Sequence, residues 1–223
     1  MKRFHSLLFI VPVLLFSESA AAAGRCPKAT QAASVTINTS AAKVVFETGH
    51  SRSDLARMQR AKGLHQGDGK ARVLGLTQTE FRYAIKTSAK LIPVSGGGYC
   101  AHPVSFDLSV GFSDFRVLID RQYRRGSCEF AAIRDHELTH VTLFRSNLSR
   151  FLPLIRRQAR IAAAAVKTIV VGDPDNGARR LQDQMQRSIN PLIARLNREA
   201  DTANARIDTA KSYRNVHMLC DNW

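Results

Sequence analysis

The sequence predicts an α+β fold in which a small antiparallel sheet packs on one central helix and long C-terminal helices follow. Up to residue 125, short runs of β-branched and aromatic residues alternate with polar residues, which is typical of half-buried strands. After Ser127 the apolar residues recur at intervals of three and four, which is typical of amphipathic helices. The chain has 223 residues, enough for one domain with a substantial core. We expect that domain over 24–223, strand-rich over 30–125 and helical over 127–217.

The first 23 residues have the pattern of a secretory signal peptide. Lys2 and Arg3 precede an apolar run over 7–16, and small residues follow from Ala20 to Ala23. The apolar run is about half the length that spans a bilayer, so a membrane anchor is disfavoured. We therefore expect an exported protein, periplasmic or secreted, with no stable membrane span.

Within the domain, strands are predicted at 34–38, 43–47, 80–86, 104–110 and 115–123, with a helix at 51–60 that Gly63 closes and a turn at Gly67–Gly69. The glycine-rich loop 95–98 is expected at the tip of a hairpin. The strands 104–110 and 115–123 are expected to form a second hairpin through 111–114. We further expect 104–110 to be an edge strand that can pair with an extended peptide.

The helical half is predicted to contain three helices. Ser127 is a suitable N-cap for the first helix. Because proline is tolerated in a first turn, a second helix is expected to begin near Pro153 and to end before Gly172. A long third helix is expected from Arg179 to Asp208.

All four cysteines lie after the predicted signal peptide, at Cys26, Cys100, Cys128 and Cys220. An even number of cysteines in an exported chain favours two disulfides, with three possible pairings. We predict Cys26–Cys220, which would tie the termini together, and Cys100–Cys128, which would attach a loop to the first helix. No two cysteines have the C-x-x-C spacing, so a four-cysteine zinc site is disfavoured.

The chain is strongly basic, with 33 Lys and Arg against 18 Asp and Glu and a formal net charge of +15. The preferred interpretation is a solvated basic surface without a partner. The other interpretation is attraction for anionic envelope components or acidic substrates. Nucleic acid is not expected, because the basic residues are dispersed, aromatic residues make up 7% of the chain, and export removes the usual target.

One motif in the first helix carries specific chemistry. His136-Glu-Leu-Thr-His140 is an H-E-x-x-H sequence, and on a helix its two histidines face the same way and can hold one metal ion. Glu137 lies beside them, where it can act on a water molecule without being a ligand. Zinc lowers the pKa of a bound water to about 7, so a carboxylate at this position can serve as its general base.

A third ligand is expected far from the motif. No G-x-x-H follows His140, which excludes the short-spaced three-histidine site. On the last helix, apolar residues recur every three or four positions, and Glu199 falls on one of these positions. Its carboxylate would therefore lie alone in a buried apolar seam. Asp208 is the other candidate for the third ligand, unless its side chain caps the segment that follows. The two are nine residues apart, on opposite faces of a continuous helix, so only one can face the metal.

Four segments carry a resemblance to a known family: Val44-Val-Phe-Glu-Thr-Gly-His50, Gly75-Leu-Thr77, Tyr99-Cys100 and the H-E-x-x-H motif. Over most of its length after the signal peptide, the chain resembles exported bacterial proteins described as zinc-dependent peptidases of uncharacterised function. The resemblance implies a zincin-like fold and an aspartate that follows an apolar residue on a late helix. Ile207-Asp208 matches that aspartate, which favours Asp208 over Glu199. Tyr213 departs from the family, which has a histidine there in a Thr-x-His-Gly tail.

We therefore expect an exported zinc metallopeptidase that hydrolyses peptide bonds through a metal-activated water. His136, His140 and Asp208 would hold Zn²⁺, with Glu199 as the runner-up third ligand, and Glu137 would act as general base and then acid. The expected partner is a protein or peptide substrate. One alternative is a non-catalytic envelope protein with a structural or vestigial metal site and a basic partner-binding surface; another is the same fold acting on peptidoglycan cross-links.

Overall fold

The structure is a computed structural model that describes residues 26–27, 31–61 and 73–223. The predicted signal peptide, the helix end at Gly63 and the turn at Gly67–Gly69 lie outside the described residues. In chain order the elements are β1 (Ser34–Thr39), β2 (Val44–Glu47), α1 (Arg52–Ala61), β3 (Gly75–Gln78), β4 (Phe81–Pro93), β5 (Tyr99–Phe112), β6 (Phe115–Ile119), α2 (Cys128–Ala165), β7 (Ile169–Val171), α3 (Asn176–Ala205) and α4 (Ala210–His217).

The strands form two small sheets. The first has the order β1-β5-β4, with β7 paired to the start of β5, and the second has the order β2-β6-β3. The α+β class, with small sheets and long C-terminal helices, is confirmed. The sheets are not purely antiparallel, because β1 runs parallel to β5 and β2 runs parallel to β6.

The parallel pairs arise because the chain passes from the first sheet to the second twice, once from β1 to β2 and once from β5 to β6. The two passages run side by side in the same direction. The connection from β1 to β2 lies against the connection from β5 to β6, where Ser40 Oγ donates to the Phe112 carbonyl at 2.8 Å. The Lys43 N–H donates to Asp114 Oδ1 at 2.9 Å, and the Phe115 N–H donates to the Lys43 carbonyl at 2.7 Å. Asp114 and its neighbours therefore bond to the incoming β2, and the predicted hairpin through 111–114 is wrong.

Strand β5 is central in its sheet. Residues 104–110 lie between β1 and β4, so the prediction of an edge strand there is wrong. The predicted hairpin with its tip at 95–98 is confirmed, since β4 and β5 pair antiparallel across that loop. The core lies between this sheet and the long helices, and the β5 side chains buried in it are Phe106, Leu108, Val110 and Phe112.

Helix α2 runs without interruption for 38 residues, so the predicted break at Pro153 is wrong. Pro153 has no N–H, which removes the hydrogen bond to the Ser149 carbonyl. Both residues are exposed, and water can satisfy that carbonyl. On the opposite face Phe151 and Ile155 are buried, and their packing holds the two halves of the helix together.

Helix α3 packs antiparallel against α2. The Asn147 amide donates to the Leu196 carbonyl at 2.9 Å, and the Gln158 amide donates to the Ser188 carbonyl at 3.2 Å. Both ends of α3 come three residues before the predicted ends. Its buried apolar face consists of Leu181, Met185, Ile189, Ile193, Leu196 and Ala200.

The four cysteines form two disulfides, as predicted, but the predicted pairing is wrong: the bonds are Cys26–Cys100 and Cys128–Cys220. The reason lies at the C-terminus. Cys220 follows α4, and α4 lies against the beginning of α2, where Cys128 is the first helical residue. Among the described residues, no helix combines the length and apolarity that a bilayer crossing requires.

Candidate metal centre

The two motif histidines lie in the first third of α2. Ser127 caps this helix, since its Oγ accepts from the Phe130 N–H at 3.1 Å. Helical spacing then places the rings of His136 and His140 on one face, 5.1 Å apart between centroids. Both side chains are largely buried, at 9% and 8% exposed.

The structure brings Asp208 to these histidines. Its Oδ1 lies 3.3 Å from His136 Nε2 and 3.1 Å from His140 Nε2. The three potential ligand atoms all lie within 4.8 Å of one another. Asp208 is not the N-cap of α4, because Thr209 fills that position and its Oγ1 accepts from the Ser212 N–H at 3.1 Å.

The structure does not bring Glu199 to the histidines. Its carboxylate pairs with Arg150 at 2.6 Å and with Arg195 at 2.7 Å on the outer edge of the α2–α3 pair. The hydrogen bond from Arg195 lowers the pKa of Glu199, which fits a solvated ion pair. The predicted seam is wrong by one residue, because Ala200 and Asn204 are the buried members of this part of α3.

Asn204 is a site residue that is absent from the predicted set of site residues. Its Nδ2 donates to the Ala200 carbonyl at 2.8 Å, which directs its Oδ1 at His140 Nδ1, also 2.8 Å away. An amide oxygen only accepts, so His140 carries its proton on Nδ1 and directs Nε2 at Asp208. A signal was available: Asn204 lies four residues after Ala200 and four before Asp208, so it continues the buried spacing into the carboxylate.

The resulting arrangement can hold a cation. In neutral His140 the Nε2 lone pair faces Asp208 Oδ1, two acceptors 3.1 Å apart. Although burial lowers the pKa of His140, the hydrogen bond to Asp208 and the charge of Glu137 raise it to about 8. Burial raises the pKa of Asp208, but the hydrogen bonds from His136 and His140 outweigh it and hold that pKa well below its usual range. Two imidazole nitrogens and one carboxylate oxygen form a donor set suited to zinc.

Glu137 is buried next to the histidines, at 5% exposed. Thr77, on β3, has its hydroxyl 2.8 Å from Glu137 Oε2 and 3.0 Å from the Glu137 carbonyl. Burial raises the pKa of Glu137, against the opposing charges of His140 and His136 and the hydrogen bond from Thr77. A carboxylate with a raised pKa can both accept and return a proton near neutral pH.

Gly75 provides the space for this carboxylate. A Cβ at position 75 would lie 2.6 Å from Glu137 Oε1 and 2.7 Å from Ile133 Cγ2, both too close for real contacts. In the sequence, Gly75 and Thr77 stand out only through the family resemblance, since a strand glycine and threonine carry no signal of their own.

Tyr213 completes the surroundings of Asp208. Its hydroxyl donates to Asp208 Oδ1 at 2.9 Å, and its ring lies 5.5 Å from the His136 ring. His217 is exposed and lies against the Trp223 ring, 4.3 Å away between centroids.

No protein-family model, no curated protein and no solved structure matches this chain. The family resemblance therefore stays a prediction, and a functional assignment depends on the geometry of the site.

Proposed function

We propose that the protein is an exported zinc-dependent metallopeptidase. The observation that carries the proposal is the convergence of one ligand atom from each of His136, His140 and Asp208 within 4.8 Å, with buried Glu137 beside them. Two disulfides support export, since such bonds persist in oxidising compartments.

His136, His140 and Asp208 would hold the zinc ion. The chemistry that bound zinc supplies is polarisation of a carbonyl and activation of water. Asn204 would fix the His140 tautomer and leave Nε2 available, which is the usual role of a hydrogen-bond partner behind a metal ligand. The net charge of the site also fits. One carboxylate and two neutral imidazoles would neutralise only part of the zinc charge, so a net positive charge would remain to polarise a substrate.

Glu137 would move the proton. As water adds to the scissile carbonyl carbon, Glu137 would accept one water proton and then give it to the leaving amine nitrogen as the C–N bond breaks. Its burial supports this role, because burial favours the protonated form that must exist between the two transfers. Thr77 would hold Oε2 and so keep the carboxylate in a fixed orientation.

The test measures zinc content and cleavage of an unstructured protein such as casein by the purified full chain. We expect one zinc per wild-type chain, loss of zinc in Asp208→Ala, and retained zinc without cleavage in Glu137→Gln. Glu199→Gln is the matched carboxylate control and should keep both properties. Full cleavage by the Glu137→Gln variant, or full zinc content in Asp208→Ala, would refute the mechanism.

A second candidate function has a specific observation in its favour. From residue 138 to 165 helix α2 contains no acidic residue, and Arg156, Arg157 and Arg160 on it are exposed without an ion pair among the described residues. Such a surface fits a non-catalytic envelope protein that holds an anionic partner, with the metal site structural or vestigial. Zinc binding without any cleavage, together with salt-sensitive retention on an anionic matrix that Arg156→Gln/Arg157→Gln/Arg160→Gln abolishes, would favour this function.

A further inference from the structure

We infer that the C-terminal segment 209–223 is a working part of the metal centre: Tyr213 positions the third ligand Asp208, and the Cys128–Cys220 disulfide holds Tyr213 in place. The inference rests on the proposed metal site and concerns how that site is completed and regulated.

Asp208 needs an external partner to stay in position. It lies in the turn between α3 and α4, outside both helices, and its side chain is 34% exposed, so packing alone does not fix its rotamer. The Tyr213 hydroxyl donates to Oδ1, the same oxygen that faces His136 and His140. A carboxylate oxygen accepts more than one bond, so the Tyr213 hydrogen bond can persist while Oδ1 serves as a ligand. Tyr213 is therefore a positioning residue that acts through Asp208.

Tyr213 in turn depends on how α4 is attached. None of the residues of α4 is buried, so apolar packing contributes little to holding this helix on the domain. At its far end, Cys220 is bonded to Cys128, and the Trp223 indole N–H lies 2.8 Å from both the His217 and the Cys220 carbonyl. Cys128 is the first residue of α2, the helix that carries both histidines. The disulfide thus joins the segment that directly follows α4 to the helix that carries the other two ligands.

The two disulfides differ in ways that matter for regulation. In the Cys128–Cys220 disulfide, Cys128 is exposed and Cys220 is 9% exposed, whereas in the other disulfide Cys26 is half-buried and Cys100 is fully buried. A dithiol reductant can therefore reach Cys128–Cys220: the disulfide takes up two electrons and two protons to become two thiols, and the dithiol is oxidised to its own disulfide. Without the bond, α4 is free to leave α2, Asp208 loses the Tyr213 hydroxyl, and metal affinity falls. The site would then be complete only after oxidation, as an exported chain experiences.

The experiment measures zinc affinity by competition with a chromophoric chelator, and the absorption spectrum of the Co²⁺-substituted protein, in five forms of the full chain. We expect Tyr213→Phe and Cys128→Ser/Cys220→Ser to weaken zinc binding by about tenfold or more and to change the Co²⁺ ligand-field bands. Ser212→Ala, on the same helix, and Cys26→Ser/Cys100→Ser, which removes the other disulfide, are the matched controls and should retain wild-type zinc affinity.

The outcomes separate this inference from the proposed function. A wild-type chain that binds no zinc would overturn the proposed function itself. Wild-type zinc affinity in both Tyr213→Phe and Cys128→Ser/Cys220→Ser would overturn this inference and leave the proposed function standing. An equal loss in both disulfide variants would overturn the role assigned to Cys128–Cys220. If removal of that disulfide unfolds the protein, as near-ultraviolet circular dichroism would show, the Tyr213→Phe affinity and spectrum decide the inference.

Discussion

Replacing Gly75 by alanine tests whether β3 provides the space for Glu137, the proposed general base. The added Cβ would lie 2.6 Å from Glu137 Oε1, 2.8 Å from Glu137 Cγ and 2.7 Å from Ile133 Cγ2. Ordinary van der Waals contact begins at 3.4 Å, so the carboxylate oxygen must move by about 0.8 Å. Because Glu137 is buried, the shift has to disturb its neighbours, including the hydrogen bond from Thr77.

The magnitudes depend on the size of this shift. Overfilling a packed site costs about 1–3 kcal/mol in the free energy of unfolding. A displacement of roughly 1 Å at a catalytic group lowers the rate by about a hundredfold, which corresponds to about 2.7 kcal/mol in the activation barrier. Zinc affinity should change little, because neither His136 nor His140 is among the nearest contacts of the new Cβ.

The assays are casein cleavage, zinc content and denaturant unfolding. Gly49→Ala is the matched control, because a Cβ at position 49 meets no atom within 4 Å. In the Gly75→Ala background, Ile133→Ala should not restore the cleavage rate, since it relieves only the contact with residue 133 and leaves both Glu137 contacts. Wild-type cleavage and wild-type stability in Gly75→Ala would refute the assignment of this space to Glu137.

Three further predictions concern other residues. Asn204→Ala should weaken zinc binding about 10–100-fold, because His140 would lose the hydrogen bond that fixes its tautomer, whereas Asn197→Ala on the same helix should not weaken it. A chelator titration compares the two variants, and equal zinc affinities would contradict the role of the Asn204 amide. Glu199→Gln should leave zinc affinity unchanged in the same titration, and a tenfold loss would contradict its place on the outer edge. The hydrogen bond from Arg116 lowers the pKa of Glu47 from 4.5 to about 2, so the pair contributes stability above pH 4.5 that is lost as the pH falls through 2. The Arg116 side chain is 49% exposed, and solvent screening reduces this contribution to about 1 kcal/mol. Glu47→Gln should therefore lower the free energy of unfolding by that amount near neutral pH and by nothing measurable at pH 2, and urea unfolding at both pH values checks the difference.

Local patterns were sufficient to predict the part of the site that lies on one helix. Ser127, His136 and His140 are related by helical spacing, which the chain alone determines. Asp208 requires more, because the periodicity of a continuous helix places it opposite Glu199 without deciding between the two. The helix ends at Ala205, and the turn after it brings the Asp208 carboxylate to the histidines, a change of direction that helical periodicity does not contain.

Tertiary pairing accounts for the features that the sequence did not reveal. The strands β5 and β6 have the same alternation of apolar and polar residues whether they pair with each other or with β1 and β2. The alternation therefore does not predict that they lie in two separate sheets. The cysteine pairing depends on where α4 returns to the domain. Because proline is tolerated in a first turn, Pro153 predicts the start of a helix. The burial of Phe151 and Ile155 on the opposite face, which depends on the fold, keeps α2 continuous.

The short strand β3 links correct folding to the formation of the site. Gly75 and Thr77 face Glu137, whereas Leu76 is buried in a separate cluster with Leu55 and Leu118. Because side chains alternate along a strand, a register slip of one residue would direct Leu76 at the Glu137 carboxylate. The carboxylate would then face an apolar side chain in place of the Thr77 hydroxyl. Such a misregistered chain would lack both the space and the hydrogen bond that Glu137 needs. If the proposed function holds, only molecules whose small sheet has reached its native register would acquire hydrolytic capacity.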